Sequence, residues 1–68
     1  MARFEIAVYN EEVRNLEAEG ESHRHLSKDW ADIHYFEVDA RDEAHARPKS
    51  LNKYSSSAGY VIDHITAL

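Results

Sequence analysis

Two histidines, His23 and His25, follow Glu21 at alternate positions in the segment EGESHRHLSKDW. Zinc binds neutral imidazole and carboxylate groups, and on an extended backbone these three side chains would project to the same side. On an α-helix, His23 and His25 would lie about 200° apart and could not share one ion. A metal centre would also need ligands from distant histidines. The sequence therefore favours solvated histidines and keeps a metal-binding protein built on Glu21, His23 and His25 as the alternative hypothesis.

Acid–base chemistry has two candidate pairs. Asp32 and His34 would share one face of a predicted strand, where the carboxylate could orient the imidazole. Asp63 and His64 would point to opposite faces of another strand and could not pair. No nucleophile accompanies either pair, and His34 is expected at the rim of the core, bonded to a backbone group or to Asp32. We expect no catalytic residue, no cofactor and no enzymatic activity.

The length and composition of the chain limit the classes of protein to which it could belong. The chain has 68 residues and no cysteine. A chain this short forms one small domain, residues 1–68, and without cysteine it has neither disulfides nor a thiolate zinc site. No stretch approaches the roughly 18 consecutive apolar residues of a membrane span, and MARFEIAVYN alternates apolar and polar residues, unlike a signal-peptide core. We expect a soluble cytoplasmic protein that does not bind membranes.

The charge distribution limits the partners. The formal net charge of −5 opposes the phosphate backbone, so direct binding of nucleic acid is not expected. The negative charge is concentrated between residues 11 and 21, where five glutamates accompany a lone Arg14. Such a run is typical of a solvated surface, and the alternative is an acidic surface that binds a basic partner.

Three segments predict β-strands. Residues 3–9 (RFEIAVY) alternate apolar and polar side chains, as a half-buried strand does. Residues 32–40 (DIHYFEVDA) are rich in aromatic and β-branched side chains. Residues 59–68 (GYVIDHITAL) are apolar on both sides, which indicates a strand that needs cover on both faces.

A helix is predicted between the second and third strands. Asp42 is the expected N-cap, acidic residues precede basic ones, and one apolar stripe is formed by Ala44, Pro48, Leu51 and Tyr54. Pro48 would remove a helical hydrogen bond, so we expect either a kink there or a helix that begins at Pro48.

The acidic, histidine-containing connector of residues 10–31 is harder to assign. Asn10 could cap a short helix that Gly20 would end, and Leu26 and Trp30, four residues apart, could stabilise a further turn. A mobile arm is the alternative, although a long structureless loop is unusual in a compact domain.

Together these elements predict an α+β fold of β-β-α-β order. The small antiparallel sheet has the spatial order 2-1-3, one helix packs on one face, and an extra short helix lies between strands one and two. The predicted core on the helix-covered face contains Phe4, Ile6, Val8, Phe36, Val38, Ala40, Ala44, Leu51 and Ile65. The other face would carry Ala7 with Tyr9, Ile33, Tyr35 and, depending on register, Tyr60 and Ile62.

The pattern VDARDEAHAR, followed by KY and GYVIDHI, loosely resembles small accessory proteins of phages and mobile elements, such as the DpnD/PcfM-like group. In that group a strand ending in Val-x-Ala runs into an Ala-containing helix and a short closing strand. The resemblance covers residues 36–65, while Pro48 and the segment 10–31 depart from it. It implies an accessory protein of this type and assigns no functional residue.

The tyrosines of the second sheet face suit an interface, because aromatic rings combine apolar area with a polar tip. Either the connector folds over this face, with Leu16, Leu26 and Trp30 on the tyrosines, or the face is open and binds a second copy or another protein. The leading hypothesis is a small non-enzymatic protein–protein interaction or regulatory protein with an unknown protein partner, acting through its acidic surface or this face. The predicted interaction residues are Tyr9, Ile33, Tyr35, Tyr60 and Ile62.

Overall fold

The computed structural model describes all 68 residues and contains the predicted α+β fold. Three strands form one antiparallel sheet in the order β2-β1-β3: β1 (Ala2–Asn10), β2 (His34–Ala40) and β3 (Tyr60–Ala67). Two α-helices and two 3-10 turns complete the chain: α1 (Glu11–Ala18), α2 (Glu43–Lys53), Lys28–Ala31 and Ser56–Ala58. The predicted strand order and the extra helix between strands one and two are confirmed. No helix of the chain is both long and apolar enough to cross a membrane.

The core lies between the sheet and α2, on what we call the covered face. Alternate residues of β1 point into it, and Ile6 and Val8 are almost completely buried. Phe36 lies opposite Ile6 on β2, and Ile65 lies opposite Ile6 on β3. Directly paired residues of an antiparallel ladder share a face, so the period-two pattern of β1 decides which side is buried. Full burial of a side chain such as Ile6 contributes about 1.5–3 kcal/mol.

The predicted apolar stripe of α2 is wrong in its first half, whereas Leu51 and Tyr54 are half-buried. Ala44 and Pro48 are exposed, whereas Ala46 and Ser50 are buried against the sheet. The Ser50 hydroxyl donates to the carbonyl oxygen of Ala46 at 2.8 Å, so its polar group is satisfied inside the helix. Two small side chains then let the helix approach the sheet closely, which a count of apolar residues does not anticipate.

Helix α2 begins where its N-cap predicts. The Asp42 carboxylate accepts from the backbone N–H of His45 at 2.8 Å, which satisfies one of the free donors of the first turn. The alternative of a helix beginning at Pro48 is therefore wrong, and Pro48 lies inside α2 on its exposed side. The carbonyl of Ala44, which Pro48 cannot bond, belongs to an exposed residue and can reach water.

Asn10 joins β1 directly to α1. Its side-chain oxygen accepts from the Val13 N–H at 3.1 Å and its amide donates to the Ala58 carbonyl at 3.0 Å, so this buried residue caps α1, as predicted, and bonds the turn before β3. Helix α1 ends at Ala18 with Glu19 as its C-cap, and Gly20, the residue predicted to stop the helix, follows with a φ of 77° that residues with a Cβ avoid. The segment 10–31 therefore contains α1 and the Lys28–Ala31 turn.

Candidate functional site

The second face of the sheet has no helix packed on it, and we call it the open face. Cross-strand pairing places ten residues there: Arg3, Glu5, Ala7, Tyr9, Tyr35, Glu37, Asp39, Val61, His64 and Thr66. They form rows across the sheet. Two rows near the start of β1 are charged, and two rows near its end are aromatic or apolar.

The central row consists of Tyr35, Ala7 and His64. Ala7 pairs with Tyr35 on one side and with His64 on the other, and the two rings stand edge to face with centroids 6.4 Å apart. These flanking rings explain why Ala7 is fully buried although no other element covers it. Tyr35 itself, on the edge strand β2, is 59% exposed, so a large aromatic side chain of the open face meets solvent.

A β-bulge in β3 makes His64 part of a polar pair. The register shifts between Ala7, which pairs with His64, and Val8, which pairs with Ile62, so Asp63 has no partner on β1. His64 Nδ1 then lies 2.7 Å from Asp63 Oδ2. The prediction that these neighbours could not pair is wrong, because a bulge breaks the strict alternation of side chains. The sequence signal was the spacing of Ile62 and Ile65, which both pack on the core although they are three residues apart.

The same bulge moves two predicted interaction residues to the covered face. Without it, Ile62 and Tyr60 would share a face with Tyr9, whereas Ile62 now pairs with Val8, and Tyr60 with Asn10. The prediction that Tyr60 and Ile62 lie on the open face is therefore wrong, since one inserted residue reverses the facing of the strand beyond it.

The bulge does not affect the other three predicted interaction residues. Tyr9 and Tyr35 lie on the open face, and Ile33 lies one residue before β2 and is half-buried. Their part in binding stays a prediction.

Arg14 of the connector contacts the open face. The guanidinium carbon of Arg14 lies 3.6 Å from the centroid of the Tyr9 ring, a cation–π contact. Arg14 Nε also donates to the carbonyl of Ala31 at 3.0 Å, which fixes the arginine between α1 and the Lys28–Ala31 turn. Sequence reasoning missed this role of Arg14, although it is the one cation among the glutamates of residues 11–21.

Trp30 packs on the covered face instead of on the open one. Its ring stacks on His34 at 4.2 Å and meets Tyr54 and Tyr60 at 5.5 and 5.2 Å. We call these residues, with Phe36 beside Tyr54, the aromatic cluster. The alternative in which Trp30 covers the open-face tyrosines is therefore wrong. Burial, and to a smaller extent the neighbouring Tyr54, raises the pKa of the Tyr60 phenol, because the cluster disfavours a phenolate.

The charged rows of the open face contain one cation and three carboxylates. Arg3 Nε lies 3.2 Å from Asp39, and Arg3 Nη1 lies 3.5 Å from Glu37. The hydrogen bond to Asp39, then the charges of Asp39 and Glu37, raise the pKa of Arg3. Glu5 lies directly opposite Glu37, an arrangement of like charges that disfavours the sheet.

The residues proposed for a metal centre do not converge. The Nδ1 atom of His23 accepts from the N–H groups of His25 and Leu26 at 3.0 and 3.1 Å, so this imidazole stabilises its own turn. Its Nε2 atom lies 3.5 Å from Glu12 and the pair does not include Glu21. No group of three or more His, Asp or Glu side chains is placed to hold an ion.

His34 lies where the sequence predicted. Its Nε2 atom is 2.9 Å from the carbonyl oxygen of Asp29, so a backbone group and not Asp32 is its partner. The stacking of Trp30 on the same ring fixes His34 at the rim of the core. This histidine has a packing role.

Compared with protein-family models, curated proteins and solved structures, the chain has no match. The resemblance to the DpnD/PcfM-like group therefore stays a prediction.

Proposed function

We propose that the chain is a cytoplasmic, non-enzymatic interaction or regulatory protein that binds another protein through its open face. The observation that carries this proposal is Tyr35, which is 59% exposed on the edge strand β2 and stands edge to face with His64 over Ala7. An exposed aromatic ring leaves a large apolar area in water, and aromatic residues are enriched at protein interfaces.

The surroundings of Tyr35 support an interface. Tyr9, the aromatic residue of β1 on this face, is held by Arg14, so its ring does not lose much freedom when a partner binds. The sheet itself is rigid, since β1 is paired on both sides. A preordered surface lowers the entropic cost of association.

The test uses affinity capture with the purified chain as bait in extract of the cells that make it. Wild type is compared with Tyr35→Glu, which places a charge in the central row of the open face. Asn52→Glu is the control, since it adds the same charge at an exposed position of α2. We expect a partner that wild type and Asn52→Glu retain and Tyr35→Glu loses, and the same order of affinities with the purified partner.

Circular dichroism must show that Tyr35→Glu is folded, and light scattering reports its mass. A folded variant with lower mass than wild type would identify a second copy as the occupant of the face. If folded Tyr35→Glu keeps both the mass and the partners of wild type, the open face is not the interface and the proposal fails.

A further inference from the structure

We infer that the open face binds a cationic segment of a partner protein, with a Lys or Arg over the carboxylates and an apolar side chain over Tyr35. This inference rests on the proposed function and names the chemistry of the partner. It follows from the uneven distribution of charge along β1.

The two ends of the open face differ in chemistry. Near the start of β1, Arg3 and three carboxylates, Glu5, Glu37 and Asp39, occupy two adjacent rows, so one positive and three negative groups give a formal charge of −2. The next row is Tyr35, Ala7 and His64. A partner that fits both ends must present positive charge beside apolar area.

Glu5 is the residue whose charge is not compensated. Arg3 contacts Asp39 and Glu37, while Glu5 pairs with Glu37 on β2 and with Thr66 on β3. Like charges directly opposite each other destabilise a strand pair. A partner's ammonium or guanidinium group placed between Glu5 and Glu37 would turn this repulsion into attraction.

The row spacing sets the spacing within the partner. Rows on one face of a strand are two residues apart, which is about 7 Å. An extended segment lying along β1 would therefore place its cationic residue at one position and its apolar residue two positions away. Residues between them would point away from the sheet.

A second copy of the chain fits this face less well. Two open faces would bring together surfaces of the same negative sign. Three strands about 4.8 Å apart and eight residues long have a flat footprint of only about 370 Å², a small platform for an interface in which each partner typically buries roughly 800 Å² of accessible surface. A short segment matches that area.

The experiment selects displayed random peptides on the immobilised wild-type chain. Enriched peptides are synthesised, and their affinities are measured for wild type, for Glu5→Gln/Glu37→Gln, for Glu5→Gln alone and for Tyr35→Ala, which removes the ring without adding charge, each checked for folding by circular dichroism. Glu17→Gln/Glu19→Gln is the matched control, because it removes the same two charges from the exposed surface at the end of α1.

We expect enriched peptides richer in Lys and Arg than the starting library, with affinities about 3- to 10-fold lower for Glu5→Gln/Glu37→Gln. The control variant should bind within about twofold of wild type, and the difference should shrink at high salt because ions screen exposed charges. If the double variant does not fold, Glu5→Gln alone should give a smaller loss in the same direction.

Neutral or acidic enriched peptides, or no enrichment, would overturn the inference. Cationic peptides that bind Glu5→Gln/Glu37→Gln as tightly as wild type, or that lose affinity for the α1 control, would overturn it too. If those peptides still lose affinity for Tyr35→Ala, only the charge inference fails. If Tyr35→Ala also leaves their binding unchanged, the proposed function fails with it.

Discussion

The two faces of the sheet use the same pair of residue types in opposite ways. On the covered face, Tyr60 and His34 pack against Trp30 within the aromatic cluster, at centroid distances of 5.2 and 4.2 Å. On the open face, Tyr35 and His64 stand 6.4 Å apart over Ala7 with no further ring on them. Residue type alone does not separate a packed tyrosine from an exposed one. The difference is whether another element covers the ring, and Trp30 covers Tyr60 but not Tyr35.

The comparison also shows where stability is concentrated. The aromatic cluster joins the connector, α2 and two strands, so losing one ring weakens several elements at once. The open face is formed by residues of all three strands without a helix packed on it, and its exposed side chains contribute little to the fold. We therefore expect substitutions on the two faces to separate stability from binding.

The largest effect is expected at Trp30. Trp30→Ala should lower the free energy of unfolding by about 3 kcal/mol, because the half-buried indole contacts three other rings of the cluster. Tyr35→Ala should cost less than about 1 kcal/mol, since a mainly exposed strand residue loses little more than β-propensity. Urea unfolding measures both, and similar costs for the two variants would mean that the open face is part of the core.

A substitution at Gly59 tests the packing at the end of the sheet where Asn10 bonds the turn before β3. Gly59 has a φ of 94°, and a Cβ there would lie 2.7 Å from Glu12 Oε2 and 2.9 Å from Asn10 Oδ1. Gly59→Ala should cost about 2 kcal/mol or more, from backbone strain and this crowding.

Gly20→Ala is the matched control for Gly59→Ala. Gly20 has a φ of 77°, but a Cβ there meets nothing within 4 Å, so strain alone should cost about 1 kcal/mol. Thermal or urea unfolding that finds Gly20→Ala the more damaging change would contradict the tight packing at Gly59.

A substitution at Pro48 tests whether α2, the helix on the covered face, is continuous. Because Pro48 lies within α2 and is exposed, Pro48→Ala should restore a hydrogen-bond donor and raise the free energy of unfolding by about 1–2 kcal/mol, after allowance for the greater freedom of the unfolded chain. Arg47→Ala, at an exposed neighbouring position, should change stability little. A loss of stability on replacing Pro48 would argue against a continuous α2.

The smallest effect is expected at Glu5. Glu5→Gln should raise the free energy of unfolding by about 0.2–0.5 kcal/mol, because it removes the repulsion from Glu37. The gain should disappear when Glu37 is already Gln, which a double-mutant cycle measures by urea unfolding. A residue whose neutralisation stabilises the fold but weakens binding would set the open face apart from the covered one, whereas a destabilised Glu5→Gln would give Glu5 a structural role.

Much of this fold could be read from local pattern. The alternation of residues 3–9 predicted β1 and its buried side, Asp42 and Asn10 predicted helix starts, and Gly20 predicted the end of α1. These features depend on period-two geometry, on a side chain capping its own helix and on a single backbone angle. Each involves residues close in the chain, so the sequence alone determined them.

Tertiary structure decided what depends on distant partners. The bulge at Asp63 arises from pairing β3 with β1, and it moved Tyr60 and Ile62 to the covered face and brought Asp63 to His64. The side of α2 that faces the sheet is set by the packing of Ala46 and Ser50. Trp30 does not cover the open face because it packs in the aromatic cluster on the covered face. Strand register, and which face of the sheet another element covers, depend on contacts between residues distant in the chain. The alternatives have similar local energies, so they are distinguished only by the packing of the whole folded chain.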